Sequence, residues 1–446
     1  MKKFFNRKSA ANKLSDDDLL DLVQKQTLKY FTDFAHPVSG MARERSNAKP
    51  ECGYDLDCVT TGGTGFGIMA MIAGAERGWI SHDEALEKIT NIVDFLDGAD
   101  KYHGAFSHFM DGKTGKTIPF TPLPADHVTK APLTKDDGGD LVETSFLMMG
   151  LLSARQYFSA RPEAAAVCTK INKLWENVEW DWYTQNGSGT LYWHWSPQHG
   201  FAMNLPIQGW NECLVTHLLA SASPTHPVSP QVYEQSWTHG TDFKNGKSYD
   251  GIALPLGPEQ GGPLFFSHYS FLGLNPKKLK DKNANYWTQN RNHTLINRAH
   301  CVSNPHGHKG YGPGCWGLTA SDDHKGYDAH SPTNDDGTIS PTAALSAFPY
   351  TPKYSMQALR HFYEDLSDKI WGKYGFVDAF NESKNWQADG HLAINQGPIV
   401  VMIENYRSGL LWNLFMSCPE VGCGLRNLNF IAPKTNKTSV KPAKPN

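Results

Sequence analysis

The sequence lacks any long apolar run and any marked excess of charge of one sign. Its 446 residues include 42 basic and 45 acidic side chains, for a net charge of -3. A transmembrane helix needs roughly 18 or more consecutive apolar residues, and a polyanion partner normally requires a strongly basic surface. Neither a membrane span nor nucleic-acid binding is therefore expected.

The N-terminal segment lacks the features of a secretory signal. Residues 1–8 are rich in charge but lead into no apolar stretch, which a signal peptide requires. The default expectation is a cytoplasmic protein, or a periplasmic or secreted one if a signal segment was removed. A monomer is expected.

Metal-binding motifs are also missing. No two cysteines form a CxxC pair, and His306 and His308 lie in a Gly/Pro loop without a matching pair elsewhere, so zinc is not expected. The acidic segment 334–338 lacks the ligand spacing of an EF-hand, which favours a turn with solvated acids.

The eight cysteines leave the disulfide state open. In a chain of this length, buried free thiols are as compatible with the sequence as disulfides. Two pairs are close enough in sequence to form disulfides: Cys52 with Cys58, and Cys418 with Cys423.

The sequence does contain a long succession of helical patterns. Ser15 caps a first helix to about Phe34, and Ser81 starts another that ends near Leu96. The glycine-rich segment 60–67 opens an apolar run but has no P-loop lysine, so its glycines predict close packing at a helix start. Further helices are predicted over residues 141–160, 163–177, 211–223, 231–239, 284–300, 341–347, 354–366 and 398–416.

About a dozen paired helices with long loops fit an all-α (α/α)6 toroid, a closed ring of helical hairpins with at most a few short strands. Helices near its centre can be apolar on nearly every side. The clearest strand pattern is 190–195, and no fixed period indicates a solenoid. The predicted organisation is a polar lead over 1–14, a single barrel domain over 15–430 and a disordered tail over 431–446.

Four carboxylates within eight residues, 136–143, mark the candidate active site. Asp136 and Asp137 precede Gly138-Gly139, and a helix is predicted from about Asp140. Asp140 and Glu143 would then share a helix face, and on their own they fit a capping box. The two upstream acids favour catalysis instead, because clustered carboxylates raise one another's pKa.

Several blocks in a fixed order resemble the glucoamylase-like family of bacterial proteins, which includes the endo-β-1,2-glucanases of glycoside hydrolase family 144. The similarity extends from about residue 15 to about residue 430. It implies an (α/α)6 barrel and inverting hydrolysis of β-1,2-glucan without metal or cofactor. The blocks are DDGGDLVET (136–144), GWNEC (209–213), SPTHP (223–227), GPLFFSHYS (262–270), DDGTI (335–339), NQGP (395–398) and ENYRSG (404–409).

The resemblance marks Asp136, Asp140, Glu143 and Glu212 as the acids that line the pocket. Glu212 matches the position expected for the general acid, and its apolar neighbours would raise its pKa. The alternative is a capping carboxylate near the start of the following helix. Asp140 is the first choice for the general base and Asp136 the second. Asn395 occupies a block where an acidic base could have been sought, but an amide cannot take a proton.

Aromatic residues make up 12% of the chain, with 13 Trp and 17 Tyr beside 19 His. Such rings suit a sugar-binding cleft, where a face stacks on the sugar and a polar edge forms hydrogen bonds. A large ordinary core would use them equally well. The residues that could contact glucosyl units are Arg43, Arg45, His108, Tyr192, Trp193, Trp210, His268, Tyr269, Trp316 and Tyr327.

The function is expected to be endo-cleavage to short oligosaccharides such as sophorose, with exo-cleavage that releases sophorose as the alternative. A loop that blocks one end of the cleft would decide between them. A non-catalytic glucan-binding protein is disfavoured by the presence of Glu212. A sugar isomerase on the same barrel would use histidines as acid and base, with His194, His199, His268 and His324 as candidates.

Overall fold

The computed structural model describes residues 14–47, 55–119 and 136–432. Fourteen α-helices dominate this part of the chain. They are α1 (Asp16–Thr32), α2 (Thr61–Glu76), α3 (His82–Gly98), α4 (Leu141–Phe158), α5 (Ala165–Glu176), α6 (Leu214–Ala222), α7 (Pro230–Gln235), α8 (Tyr286–Ser303), α9 (Pro341–Leu345), α10 (Pro352–Arg360), α11 (Ser367–Ile370), α12 (Ala393–Arg407), α13 (Leu410–Met416) and α14 (Pro419–Asn427).

The strands are short and form only small antiparallel sheets within the described ranges. One sheet has three strands in the order β1-β2-β3, and the others pair β4 with β5, β6 with β7, β8 with β9, β10 with β11 and β12 with β13. Their bounds are β1 (Cys58–Thr60), β2 (Phe109–Asp111), β3 (Thr117–Ile118), β4 (Gly139–Asp140), β5 (His194–Trp195), β6 (Lys244–Tyr249), β7 (Ile252–Leu256), β8 (Ala320–Asp323), β9 (Gly326–Ala329), β10 (Trp371–Gly372), β11 (Gly375–Phe376), β12 (Phe380–Asn381) and β13 (Trp386–Gln387).

Fully buried helices alternate along the chain with helices that bury one face. Every residue of α6 and α9 is buried, as is α2 up to Ala75, whereas α3 buries only residues at helical spacing. The buried helices contact one another: α2 packs against α4 and α12, α4 against α6, and α12 against α9. The half-buried α1 and α3 pack on the outside of α2. This alternation is the predicted arrangement of an (α/α)6 toroid.

The predicted helix starts are confirmed by their caps. Ser15 accepts a hydrogen bond from the backbone N–H of Asp18 (3.1 Å), and Ser81 accepts one from Glu84 (3.0 Å). Each oxygen satisfies a backbone donor that has no partner within its helix.

Close contact between α2 and α4 depends on glycine, as the segment 60–67 predicted. A Cβ on Gly65 would clash with the carbonyl oxygen of Phe146 and lie 2.7 Å from Cα of Leu147. A Cβ on Gly150 would clash with the backbone of Gly65 in return. The two inner helices therefore meet backbone to backbone.

The C-terminal helices differ from the prediction. The single helix predicted over 398–416 is wrong: α12 already begins at Ala393, and Gly409 separates it from α13. Gly409 has a φ of +72°, a left-handed conformation that ends a helix. The sequence analysis also missed α14, which packs on α6.

Strand predictions were only partly correct. The strand predicted over 190–195 is reduced to β5, and the hairpins β6–β7 and β8–β9 were missed. β6 consists of polar residues that expose most of their side chains, so it shows no period-two apolar pattern from which a strand could be predicted.

The C-terminal part of the described chain is held by backbone hydrogen bonds. Ile431 exchanges two backbone hydrogen bonds with Lys280, so the disordered tail predicted from 431 begins too early. Residues 1–13 and 433–446 lie outside the described ranges, as does Cys52.

The described cysteines, Cys58, Cys418 and Cys423 among them, are free thiols. Among the described helices, none is long and apolar enough to cross a bilayer.

The contact between α2 and α4 gives a stability prediction. Gly65→Ala should lower the free energy of unfolding by about 1–3 kcal/mol, because overpacking forces the helix backbones apart. Chemical denaturation monitored by circular dichroism measures this change. Gly98→Ala is the matched control: a Cβ there meets nothing within 4 Å, so its stability should be unchanged or higher. Equal stability of both variants would contradict the packing argument.

Candidate active site

Asp140 is the N-cap of α4 and lies at the bottom of a carboxylate cluster. Its Oδ1 accepts hydrogen bonds from the backbone N–H groups of Val142 (3.0 Å) and Glu143 (2.9 Å). Its Oδ2 contacts Nδ1 of His108 at 3.0 Å and accepts a hydrogen bond from Nε1 of Trp193 at 3.3 Å. The side chain is almost fully buried. Asp140 therefore caps α4, which is the alternative that Asp140 and Glu143 suggested on their own, and both of its side-chain oxygens are occupied.

Glu143 does not complete the predicted capping box. The backbone N–H of Asp140 donates instead to the carbonyl of Phe106 (2.8 Å). Oε2 of Glu143 accepts a hydrogen bond from the backbone N–H of Gly62 at 2.7 Å, at the start of α2. A Cβ on Gly62 would lie 2.5 Å from this oxygen, so glycine is required for the contact. Burial, opposed by the charge of His108, raises the pKa of Glu143.

His108 is held as a cation by the acids around it. Burial alone would lower its pKa, but the charges of Glu143, Asp140 and Asp136 outweigh burial and raise the pKa to about 10. The ring therefore donates from Nδ1 to Asp140 at neutral pH. This positive charge partly compensates for the concentration of carboxylates in the site.

Glu212 lies in the loop before α6. Its backbone carbonyl accepts a hydrogen bond from the hydroxyl of Ser270, and that hydroxyl accepts one from the N–H of Val215 (2.9 Å). The helix begins only at Leu214, so Glu212 does not occupy the capping position considered as its alternative. Burial raises its pKa to about 7, and the nearby charges of Glu143 and Asp140 contribute to the increase. A carboxyl that keeps its proton near neutral pH can act as a general acid.

Asp136 stands at the edge of the same cluster. Its Oδ1 lies 3.0 Å from Nε2 of His194, a buried residue, while the Asp136 side chain keeps 13% of its surface exposed. His194 belongs to β5, which pairs with β4 and so places this histidine opposite Asp140. Asp136 thus combines a fixed position with access to solvent.

A second group of acids was missed by the sequence analysis. Asp322 of β8 forms an ion pair with Arg45 at 3.2 Å, and its backbone N–H donates to Oδ2 of Asp378 at 2.7 Å. Burial, reinforced by the charge of Asp322, raises the pKa of Asp378. Glu44 is buried nearby, and burial raises its pKa too.

Tyr269 connects the two groups of acids. Its hydroxyl donates to Oδ1 of Asn395 at 3.3 Å, and the Asn395 amide donates to Oδ1 of Asp378 at 2.8 Å. Tyr269 also experiences the charges of Glu212 and Glu143. Asn395 therefore orients an acid, although it cannot itself take a proton. Tyr269 therefore interacts with the acids around Glu212 and, through Asn395, with those around Asp378.

Five of the predicted substrate-binding residues belong to this site. His108 and Trp193 contact Asp140, Arg45 pairs with Asp322, and Tyr269 contacts Asn395. Tyr327 lies opposite Asp322 in the β8–β9 register and is 51% exposed. An exposed ring beside buried acids can stack on a sugar.

Three predicted binding residues lie in the core instead. Trp210 and Trp316 are 2% and 0% exposed, and Trp210 packs against Trp237 and Tyr286 with ring centroids 5.8 and 5.7 Å apart. His268 is also buried, and burial lowers its pKa to about 3. Stacking on a sugar needs an exposed ring face, which these side chains do not offer.

Arg43 and Tyr192 make local packing contacts. The guanidinium of Arg43 lies 4.7 Å from the ring centroid of Phe34, and the Tyr192 ring lies 5.8 Å from that of Phe201. Both side chains are partly exposed. Their predicted contact with substrate remains a prediction.

In the turn at 334–338, Asp335 differs from the prediction of solvated acids, whereas the Asp336 side chain is 23% exposed. The Asp335 side chain is only 1% exposed, and its Oδ1 accepts a hydrogen bond from the Tyr311 hydroxyl at 2.7 Å. Loops distant in sequence cover it.

Comparison with known proteins identifies relatives of this chain and its fold. A family model described as "Putative glucoamylase" matches residues 204–419. A curated exo β-1,2-glucooligosaccharide sophorohydrolase of Parabacteroides distasonis is 45% identical over 439 residues, which cover 94% of this chain and 58% of that protein. The chain thus spans little more than half the length of this curated relative.

Two solved structures match over their whole length. A protein of Bacteroides uniformis, described as a putative glucoamylase, is 53% identical with a TM-score of 0.90, and the match covers 96% of this chain and 100% of that one. The endo-β-1,2-glucanase of Chitinophaga pinensis, solved with sophorotriose and glucose, is 52% identical with a TM-score of 0.89, over 94% of this chain and 100% of that one. The chain belongs to the glucoamylase-like family. Its predicted family and (α/α)6 fold are confirmed.

In this glucoamylase-like chain, the acids that sequence reasoning missed carry no local signal. Glu44, Asp322 and Asp378 are distant from one another in sequence, and each stands in a loop or short strand. The acids at 136–143 could be predicted from the sequence because four of them occur within eight residues. Only the fold brings the dispersed acids to the same site.

The raised pKa of Glu212 predicts pH-dependent stability. Its folded-state pKa of about 7 lies above the ordinary value of 4.5, so the folded chain holds a proton that the unfolded chain releases between those values. The free energy of unfolding should therefore fall as pH rises from about 4.5 to 7, by up to about 3 kcal/mol from this group. Denaturant titrations at a series of pH values measure the slope.

The Glu212→Gln variant should show a smaller slope over that window, because an amide does not titrate. Glu87→Gln, at an exposed position on α3, is the control and should keep the slope of the unmodified chain. An unchanged slope in Glu212→Gln would show that Glu212 titrates alike in the folded and unfolded chain.

Proposed function

We propose that the chain is a glycoside hydrolase that cleaves β-1,2-glucan by an inverting acid/base mechanism. The observation that carries the proposal is Glu212, a buried carboxyl with a pKa of about 7 beside further acids. Support comes from the relatives, which include an endo-β-1,2-glucanase and an exo sophorohydrolase of β-1,2-glucooligosaccharides. Endo-cleavage to short oligosaccharides is proposed first, and exo-release of sophorose is the alternative.

In this mechanism Glu212 donates its proton to the glycosidic oxygen while the bond from that oxygen to the anomeric carbon breaks. A second carboxylate removes a proton from a water molecule, which attacks the anomeric carbon from the opposite face and inverts its configuration. The leaving sugar departs as an alcohol. Neither step requires a metal or an organic cofactor.

Asp136 is proposed as the base, in preference to Asp140. Four donors already occupy the two oxygens of Asp140, so a water molecule would have to displace one of them. Asp136 contacts one histidine and retains solvent access. Asp140 is proposed to position His108 and Trp193, and Glu143 to support the charge of His108.

The alternative of a histidine-based isomerase finds less support in the geometry. His268 is buried and neutral, and His194 is paired with Asp136. His324 lies 3.5 Å from Asp336, and His199 is exposed in a loop. These four histidines occupy separate settings, whereas the acids converge.

Incubation with linear β-1,2-glucan tests the reaction. We expect shorter oligosaccharides within minutes and much slower sugar release from starch. Chromatography at early time distinguishes the modes, because endo-cleavage gives a range of lengths and exo-cleavage gives sophorose from the start. Intact polymer would contradict hydrolysis, and an altered sugar of equal mass would indicate isomerisation.

Glu212→Gln tests the acid. The amide keeps the size of the side chain but cannot protonate the leaving oxygen, so kcat should fall by ~10²–10⁴-fold. Its melting temperature should not fall, because the folded state no longer has to bury an ionisable group. A variant that melts several degrees lower yet hydrolyses at nearly the original rate would assign Glu212 a structural role.

Paired variants test the base. Asp136→Asn should lose most activity, and azide should partly restore it by replacing the missing carboxylate as base or nucleophile. Asp140→Asn should also lose activity, but without azide rescue, because the anion cannot restore the helix cap and the orientation of His108 and Trp193. Rescue of Asp140→Asn alone would reverse the two roles.

A further inference from the structure

Three elements bring histidine and aspartate side chains together outside the cluster of acids described above. His300 is in the last turn of α8, His306 and His308 belong to the loop that follows, and Asp335 belongs to the 334–338 turn. The sequence argument against zinc rested on the missing partner for the His306/His308 pair. The fold supplies two, His300 and Asp335.

The distances suit one cation. Ligand atoms of His300, His306 and Asp335 all lie within 4.8 Å of one another. Nε2 of His300 is 2.8 Å from Oδ2 of Asp335. Zinc binds imidazole nitrogen and carboxylate oxygen at about 2.0–2.2 Å, so ligand atoms this close to one another can approach a single ion.

Hydrogen bonds to Oδ1, the second side-chain oxygen of Asp335, also fix the position of this carboxylate. Oδ1 accepts hydrogen bonds from the Tyr311 hydroxyl at 2.7 Å and from the backbone N–H of Gly337 at 3.0 Å. Nε2 of His308 lies 3.4 Å from the same oxygen and is buried without a hydrogen-bond partner among the described residues. Contacts of this kind orient a carboxylate that binds a metal.

Hydrogen bonds within the loop after α8 fix its conformation. Asn304 accepts a hydrogen bond from the backbone N–H of His308 (2.8 Å) and donates one to its carbonyl (2.8 Å). A preformed loop reduces the entropy lost when ligands converge on an ion.

We propose that His300, His306 and Asp335 bind one Zn²⁺ ion, with a water molecule as the fourth ligand. Two imidazoles and a carboxylate favour zinc over calcium or magnesium, which prefer oxygen ligands. The ion ties the end of α8 and its following loop to the 334–338 turn. The residues of this site are separate from the acids assigned to hydrolysis.

The turn that contains the proposed zinc ligand Asp335 also contacts the region around the β8–β9 hairpin. Asp336, next to Asp335, lies 3.5 Å from Nδ1 of His324 and 3.6 Å from Nδ1 of His330. His324 lies in the turn of the β8–β9 hairpin and His330 follows β9, and the same hairpin carries Asp322, the partner of Arg45. The zinc ion therefore braces the turn against which this hairpin rests.

Zinc titration of the metal-free, full-length chain tests the proposal without any glucan, so its result is independent of hydrolysis. We expect one zinc per chain after gel filtration and a higher melting temperature with zinc. His306→Ala should weaken zinc affinity by at least ~10–100-fold, and because His306 is exposed, the variant should fold like the unmodified chain. EDTA should lower the melting temperature but not abolish hydrolysis below it.

His361→Ala is the matched control. His361 forms a pair with Asp365 at 2.8 Å on the surface, and no third ligand joins them among the described residues, so zinc affinity should be unchanged. Zinc affinity that is the same in His306→Ala and the unmodified chain, or absence of bound zinc in the unmodified chain, would overturn the proposal. Lower affinity in His306→Ala alone would establish it.

Discussion

The site depends on the stabilisation of buried carboxylates by the N-termini of inner helices. Asp140 accepts two backbone N–H groups at the start of α4, and Glu143 accepts one at the start of α2. These donors have no partners within their helices, and the helix dipole adds a partial positive charge at the same end. The free energy needed to remove the acids from water is thereby offset without a neutralising cation at each one. Both helix ends must stay adjacent for this to work, and the glycines between α2 and α4 allow that proximity.

The acids of the candidate active site are not equivalent, because their environments differ. Glu212 is buried, and burial together with the nearby charges of Glu143 and Asp140 raises its pKa to about 7. Asp140 has four donors, including the cationic His108. Asp136 keeps contact with solvent. Acid/base catalysis requires groups that hold their protons to different degrees, and burial, hydrogen bonds and neighbouring charges produce that difference among the carboxyl groups of this site.

Loops complete the site, and their order depends on polar contacts more than on apolar packing. The chain of hydrogen bonds from Tyr269 through Asn395 to Asp378 crosses between the two acid groups. Asp322 extends it to Arg45. Farther out, the histidine cluster around Asp335 supports the turn beside the β8–β9 hairpin. Loss of one contact in such a network leaves a buried polar group unsatisfied, which costs more than the contact itself contributed.

The sequence alone determined the elements whose signals are local. Caps at Ser15, Ser81 and Asp140 and the apolar periodicity of the helices located most inner and outer helices, and the dense block at 136–143 located half of the site. Burial was not predictable in the same way: Trp210 and Trp316 carry the same ring as Trp193, but only the fold places the first two in the core. Asp322 and Asp378 were missed because neither belongs to a recognised motif, and Asp335 was taken as solvated because its burial depends on contacts formed only in the fold. Their role depends on contacts with residues up to about 280 positions away, such as that of Arg45 with Asp322, and only the tertiary structure determines those contacts.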